Sequence, residues 1–289
     1  MKSRIVIFEG GDISGKTTQA NLYYDKMLKI YNRDPKNSYK PVYKRYPKNK
    51  NSEKMIDLYN QMNKFVLSGS RKAVGDTAKQ NIIINNMIEQ FKDKFEFFNL
   101  IYELNNGIGG ERVVYIIDRC LISGTIYNFH ALKRFYEINN EPFPLEKLYK
   151  EIIKASESSD SRFKPLDNRD STILSTIDIS KYGINFKESN ILHIIFKPSK
   201  KLYNKTMRNK TNGRINDEYD SNAVFQECVN HYYDILTSGN KKDIDDLLGI
   251  IPPIVPVITD NFDVDSPTSI EDISDFIIDK CEDFFYNNI

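Results

Sequence analysis

Eight residues near the start constrain this chain more than any others: Gly10-Gly11-Asp12-Ile13-Ser14-Gly15-Lys16-Thr17, which satisfy G-x-x-x-x-G-K-[ST]. Glycines let the backbone turn tightly, so that consecutive N–H groups point inward at phosphate oxygens. A helix opening at Lys16 adds the positive end of its dipole. Lys16 supplies a point charge for β- and γ-phosphates, and Thr17 offers a hydroxyl to Mg²⁺. Such a loop needs a strand before it and a helix after it, and both flanks are legible. Arg4-Ile5-Val6-Ile7-Phe8-Glu9 is a β-branched run that reads as a strand buried on both faces. Ala20, Tyr23, Tyr24, Met27, Leu28 and Tyr31 then recur at helical spacing. The anion cradle thus comprises Gly10, Gly11, Asp12, Ser14, Gly15, Lys16, Thr17 and Thr18.

Strand, glycine turn and helix open a parallel α/β sheet. Further strands are expected at Pro41–Tyr46, Val113–Ile117, Ile191–Phe196 and Ile254–Ile258. Residues 53–104 read as helical, with breaks near Gly69 and Gly75, and Ser269–Phe285 reads as an amphipathic closing helix. The expected fold is a three-layer α/β/α P-loop NTPase with a five-stranded parallel sheet, in one domain over 1–289. Residues 131–188 read as a middle insertion, helical over Lys147–Lys154 and loop-like through the polar run Ser156–Asp170.

Charge and composition narrow the function classes. A formal net charge of +1 gives no global basic field for nucleic acid, so a phosphate site must be local. The apolar run after Met1 is too short for a signal peptide, and no segment is long enough to span a bilayer. The expectation is a cytoplasmic, soluble chain with neither membrane nor nucleic acid as partner. Three scattered cysteines, Cys120, Cys228 and Cys281, fit no disulfide framework and no zinc spacing. A guanine-binding N-K-x-D is missing at both Asn204-Lys205 and Asn209-Lys210, which disfavours a GTPase.

The string Phe8-Glu9-Gly10-Gly11-Asp12-Ile13-Ser14-Gly15-Lys16-Thr17-Thr18-Gln19 resembles the opening of thymidylate kinases. Lys44-Arg45-Tyr46-Pro47 is similar to that family's R-[FY]-P segment. Ile117-Asp118-Arg119-Cys120-Leu121-Ile122-Ser123-Gly124-Thr125-Ile126-Tyr127 is similar to its D-R-Y-x-x-S segment, and Asp217-Glu218-Tyr219-Asp220 with Val224-Phe225-Gln226-Glu227 to the stretch beyond its lid. The resemblance spans about residues 4–130 and 188–286. It implies ATP and Mg²⁺ as cofactors, a nucleoside monophosphate as acceptor and a homodimer. It also implies that Asp12 accepts a hydrogen bond from the sugar 3′-hydroxyl and that Arg45 clamps the acceptor phosphate, while Tyr46 packs on the sugar and Tyr127 closes the pocket. Arg119 would bridge donor and acceptor phosphates, with Asp118 orienting that arginine or joining Thr17 at the metal. A lid at about 204–216 would bring a catalytic arginine, Arg208 or Arg214, because Ile13 fills the position where some members carry one in the loop.

Departures mark the base site. Thymidylate kinases stack a Phe on thymine and bond it with an Arg, and Ile83 and Met87 stand in the best-matching positions. One lost buried hydrogen bond weakens base discrimination by roughly 1–3 kcal/mol. The expected activity is transfer of the ATP γ-phosphoryl group to dTMP, giving dTDP. The alternatives are a deoxynucleoside kinase or other nucleotide kinase of the same fold, and a degenerate nucleotide-binding module without turnover.

Overall fold

The computed structural model describes residues 3–11, 14–46, 53–67, 77–89, 97, 112–119, 121–148, 150–151, 154, 190–197, 223–248, 252–262, 266 and 269–287. Five strands are in it: β1 (Arg4–Gly10), β2 (Lys40–Arg45), β3 (Val113–Asp118), β4 (Ile191–Lys197) and β5 (Ile254–Ile258). They form one sheet in the order β2-β3-β1-β4-β5, and every pairing is parallel. The chain runs from β1 out to β2, returns to β3, then crosses β1 to reach β4. Connections therefore diverge above the carboxyl ends of β1 and β3, where open parallel sheets form their ligand crevice.

Strand side chains alternate between two faces, and each face has its own core. Val6, Phe8, Ile116 and Phe196 lie under α1 (Lys16–Arg33) and α8 (Ser269–Asn287). Ile5, Ile7, Ile117 and Ile195 face the opposite layer. That layer holds α2 (Glu53–Gln61), which widens into a π-helical turn at Met62–Leu67, and α3 (residues 77–89). It also holds α4 (Leu121–Thr125), a second π-helical turn (Ile126–Ala131) and α5 (Leu132–Ile138), with α6 (Ala223–Thr237) and α7 (Lys241–Leu248) beyond. Helices on both faces of a five-stranded parallel sheet make the expected three-layer architecture.

Most expected elements stand within a residue or two of their predicted bounds. Strand β2 begins and ends one residue early, because Lys40 pairs with Val113 and Arg45 with Asp118, after which the Tyr46 N–H donates to the Asp118 carbonyl at 3.0 Å. Residues 131–138, the start of the stretch read as an insertion, continue the helix that follows β3 and bury Ala131, Leu132, Phe135 and Tyr136. Residues 155–189 and the expected lid at 204–216 lie outside the described residues, as does Cys120. Cys228 and Cys281 are free, buried thiols. Among the described residues no helix is long and apolar enough to cross a membrane.

Candidate active site

The glycine loop leaves β1 in a conformation that only glycine tolerates. Gly10 has φ of 154°, and a Cβ there would stand 2.8 Å from the Phe196 carbonyl oxygen of β4 and 2.9 Å from Ser14 Oγ. Gly15 closes the loop at φ of 81° as the residue capping α1, and its carbonyl accepts the Gln19 N–H at 3.0 Å. Helix α1 therefore starts at Lys16, with its first N–H groups at the loop. The Lys16 ammonium folds back across the turn and donates to the Gly11 carbonyl at 2.9 Å, leaving the side chain almost wholly buried. Ser14 Oγ is buried beside it and has no hydrogen-bond partner among the described residues.

Asp118 is the centre of the charged cluster. It ends β3, is fully buried, and faces the layer that contains α1. Its Oδ2 accepts the Thr17 hydroxyl at 2.8 Å and the Tyr43 hydroxyl at 3.2 Å, and Arg45 Nε lies 3.6 Å away. Register explains the grouping. Arg45 is paired with Asp118 and Tyr43 with Ile116, so alternation puts Tyr43, Arg45, Ile116 and Asp118 on one face. Burial, followed by the neighbouring Asp118 charge and its hydrogen bond, pushes the Tyr43 hydroxyl up to about 12. It remains a donor at any neutral pH.

A divalent cation fits this corner. Asp118 Oδ1 is buried without a hydrogen-bond partner among the described residues, and a buried carboxylate oxygen in that condition has room to accept a cation or a water. Thr17 and Asp118 together offer hard oxygen donors next to the glycine loop, the kind of donor that magnesium takes when phosphates and water complete its shell.

Alternation sends Glu9 to the opposite face. Its carboxylate is fully buried and accepts the Ser123 N–H at 3.2 Å and the Ser123 hydroxyl, whose oxygen lies 3.1 Å from the Tyr233 hydroxyl of α6. Arg119, between these two clusters, adopts φ of 64°, a left-handed conformation rare for a side chain of its size, and its N–H donates to the Phe8 carbonyl at 2.9 Å. The kink carries the guanidinium over the Tyr127 ring, 5.3 Å from its centroid. Tyr127 itself packs against Phe225 and Tyr233.

The structure thus brings together Gly10, Gly11, Ser14, Gly15, Lys16, Thr17, Arg45, Asp118, Arg119 and Tyr127 around the carboxyl ends of β1, β2 and β3. Thr18 is exposed on the first turn of α1. Tyr46 points into the apolar core, with its ring edge-on to Phe97 at 6.3 Å. Ile83 and Met87 belong to the same buried cluster, at 0% and 4% exposure. Asp12, Arg208 and Arg214 lie outside the described residues. Sequence reasoning assigned no role to Tyr43, Glu9, Ser123 or Tyr233. Tyr43 carried one signal, its position two residues before Arg45 on a strand.

No protein-family model matches the chain, and no curated protein matches it. Among solved structures the chain is similar to thymidylate kinase from Candida albicans, at 16% identity and a TM-score of 0.48, over 100% of this chain and 94% of that one. It is also similar to thymidylate kinase from Ehrlichia chaffeensis, at 14% identity and a TM-score of 0.41, over 98% of this chain and 100% of that one.

Proposed function

We propose that the chain is an ATP-dependent nucleoside monophosphate kinase that phosphorylates dTMP to dTDP. The observation that carries this reading is the 2.8 Å contact between Thr17 Oγ1 and Asp118 Oδ2, made at the mouth of a glycine loop with Lys16 buried across it. That pairing joins a phosphate cradle to a buried carboxylate at the carboxyl end of a neighbouring strand.

Thr17 and Asp118 are the residues that would hold magnesium, which when bound screens the charge of the β- and γ-phosphates. The loop amides and Lys16 bind the polyphosphate tail of ATP and hold its γ-phosphorus in place. An ionised oxygen of the acceptor phosphate attacks that phosphorus in line. The new O–P bond forms as the bond to the β,γ-bridging oxygen breaks, and ADP leaves with that electron pair. No general base is required, because the attacking oxygen carries no proton at neutral pH. Arg119 and a lid arginine, Arg208 or Arg214, spread the developing charge. Arg45 is 44% exposed and lies beyond hydrogen-bond distance from Asp118, which leaves its guanidinium available to an acceptor phosphate. Its place at the end of β2 favours an acceptor that bears a phosphate over a bare nucleoside. Asp12 serves the sugar hydroxyl, and Tyr127 walls the pocket.

The test is an acceptor panel of dTMP, dUMP, dGMP, dCMP, dAMP and thymidine, each with Mg·ATP and ADP release as the readout. Fastest turnover with dTMP is expected. Preference for thymidine would move the reading to a deoxynucleoside kinase. ATP binding with no turnover on any acceptor would make the chain a binding module. Lys16→Ala is expected to lower turnover on the best acceptor by at least about a hundredfold, since it removes charge stabilisation at the transferring group. Near-native rates in that variant would show that phosphate transfer happens elsewhere.

A further inference from the structure

The carboxylate of Asp118 needs help to hold its orientation. The torsion that turns an aspartate carboxylate is broad and roughly two-fold, so one oxygen must be pinned if the other is to present a fixed ligand. Thr17 donates to Oδ2 but would itself turn an oxygen lone pair to a cation. Arg45 stands at 3.6 Å, too far for a hydrogen bond, and is half in solvent. Among the described residues Tyr43 is the remaining donor to Oδ2, at 3.2 Å. Its backbone is registered against Ile116 of β3, and its stiff ring meets Tyr24 of α1 edge-on at 6.1 Å.

We propose that Tyr43 is a positioning residue whose hydroxyl pins Asp118 Oδ2 and so presents Oδ1 to the magnesium of a bound nucleotide. The inference rests on the reading of this corner as a metal–nucleotide site. Because Arg45 is free to leave for a phosphate, Tyr43 is the donor that stays on Asp118 through the reaction cycle. Outer groups of this kind act on the metal by fixing its ligand.

Tyr43→Phe removes the hydroxyl and keeps the ring against Tyr24. Mn²⁺, followed by its paramagnetic resonance signal, is titrated into the protein·ADP complex, and ADP affinity is measured separately without metal. The variant is expected to bind Mn²⁺ about tenfold more weakly, with metal-free ADP affinity unchanged. A second measurement separates positioning from packing. In an Asp118→Asn background, Tyr43→Phe is expected to add no further loss of Mn²⁺ affinity. A loss under about threefold in the single variant overturns the proposal, and so does an equal loss in both backgrounds. If wild-type protein binds no ADP, the metal–nucleotide reading falls and takes this inference with it. If it binds ADP and Mn²⁺ normally and Tyr43→Phe changes neither, the reading stands and Tyr43 alone is dismissed.

Discussion

Single residues in the loop obey one pattern for different reasons, and the difference is measurable. Gly10 and Gly15 are both fixed glycines of the motif. At Gly10 an added Cβ meets backbone, the Phe196 carbonyl oxygen at 2.8 Å, which cannot swing away. At Gly15 the space is open and only the left-handed φ of 81° resists. Gly10→Ala is therefore expected to cost roughly 2–4 kcal/mol of folding stability, by clash and strain together. Gly15→Ala should cost about 1–2 kcal/mol from backbone strain alone. Urea denaturation of the two variants checks the ranking, and the reverse order would contradict the packing described here. The site was legible at this scale only where a residue belonged to a fixed pattern. Thr17 and Asp118 meet across 101 positions, and the motif plus a strand-end aspartate anticipated that meeting. Tyr43 belongs to no pattern. Its contact with Asp118 follows only from the register that lays β2 along β3, and register is not written in either strand alone.

Elements were legible in proportion to how completely they are buried. In β4 the first six of seven residues are buried, which produces the unbroken apolar run that the sequence displays. Strand β2 lies at an edge with one buried residue, and its weak alternation gave bounds one residue late. The helix after β3 runs past residue 131 because Leu132, Phe135 and Tyr136 recur at helical spacing, a signal that the later polar run obscured. Burial also sets the charge that a strand can carry. His193 lies inside β4, and desolvation lowers its imidazole from 6.5 to about 4. In the unfolded chain it takes a proton near its ordinary value, while in the fold it resists until about pH 4. Between those values the unfolded state binds more protons, so stability falls as pH drops from about 6.5 to about 4, then levels for this group. The full loss is roughly 3 kcal/mol. His193→Leu should flatten that slope in denaturation experiments run from pH 7 to pH 4.5. If the two proteins lose stability in parallel, the slope belongs to other groups.

Across the whole molecule the two ends of the sheet divide the labour. The carboxyl ends of β1, β2 and β3 hold the loop, Arg45, Asp118 and Arg119, where charge is concentrated and the backbone is bent into rare conformations. The amino end of β1 is tied down by apolar and ring contacts instead. Arg4 opens β1 with its guanidinium carbon 4.3 Å from the Tyr39 ring centroid and 4.8 Å from that of Phe285. It thereby clamps three distant parts of the chain: the first strand, the approach to β2 and the end of α8. Sheltered cation–ring contacts of this kind contribute about 1–2 kcal/mol. Arg4→Met keeps a long apolar stem in the same slot and removes the charge. It should lower Tm by a few degrees, given about 2–4 °C per kcal/mol for a chain of this size class. Because Arg4 lies at the opposite end of β1 from the glycine loop, kcat and KM measured well below the transition should match wild type. Lys16→Ala should behave in the opposite sense, with turnover lost and Tm nearly kept. An Arg4→Met protein with normal Tm and impaired turnover would mean that the two ends of the sheet are coupled, and the division argued from their contacts would fail.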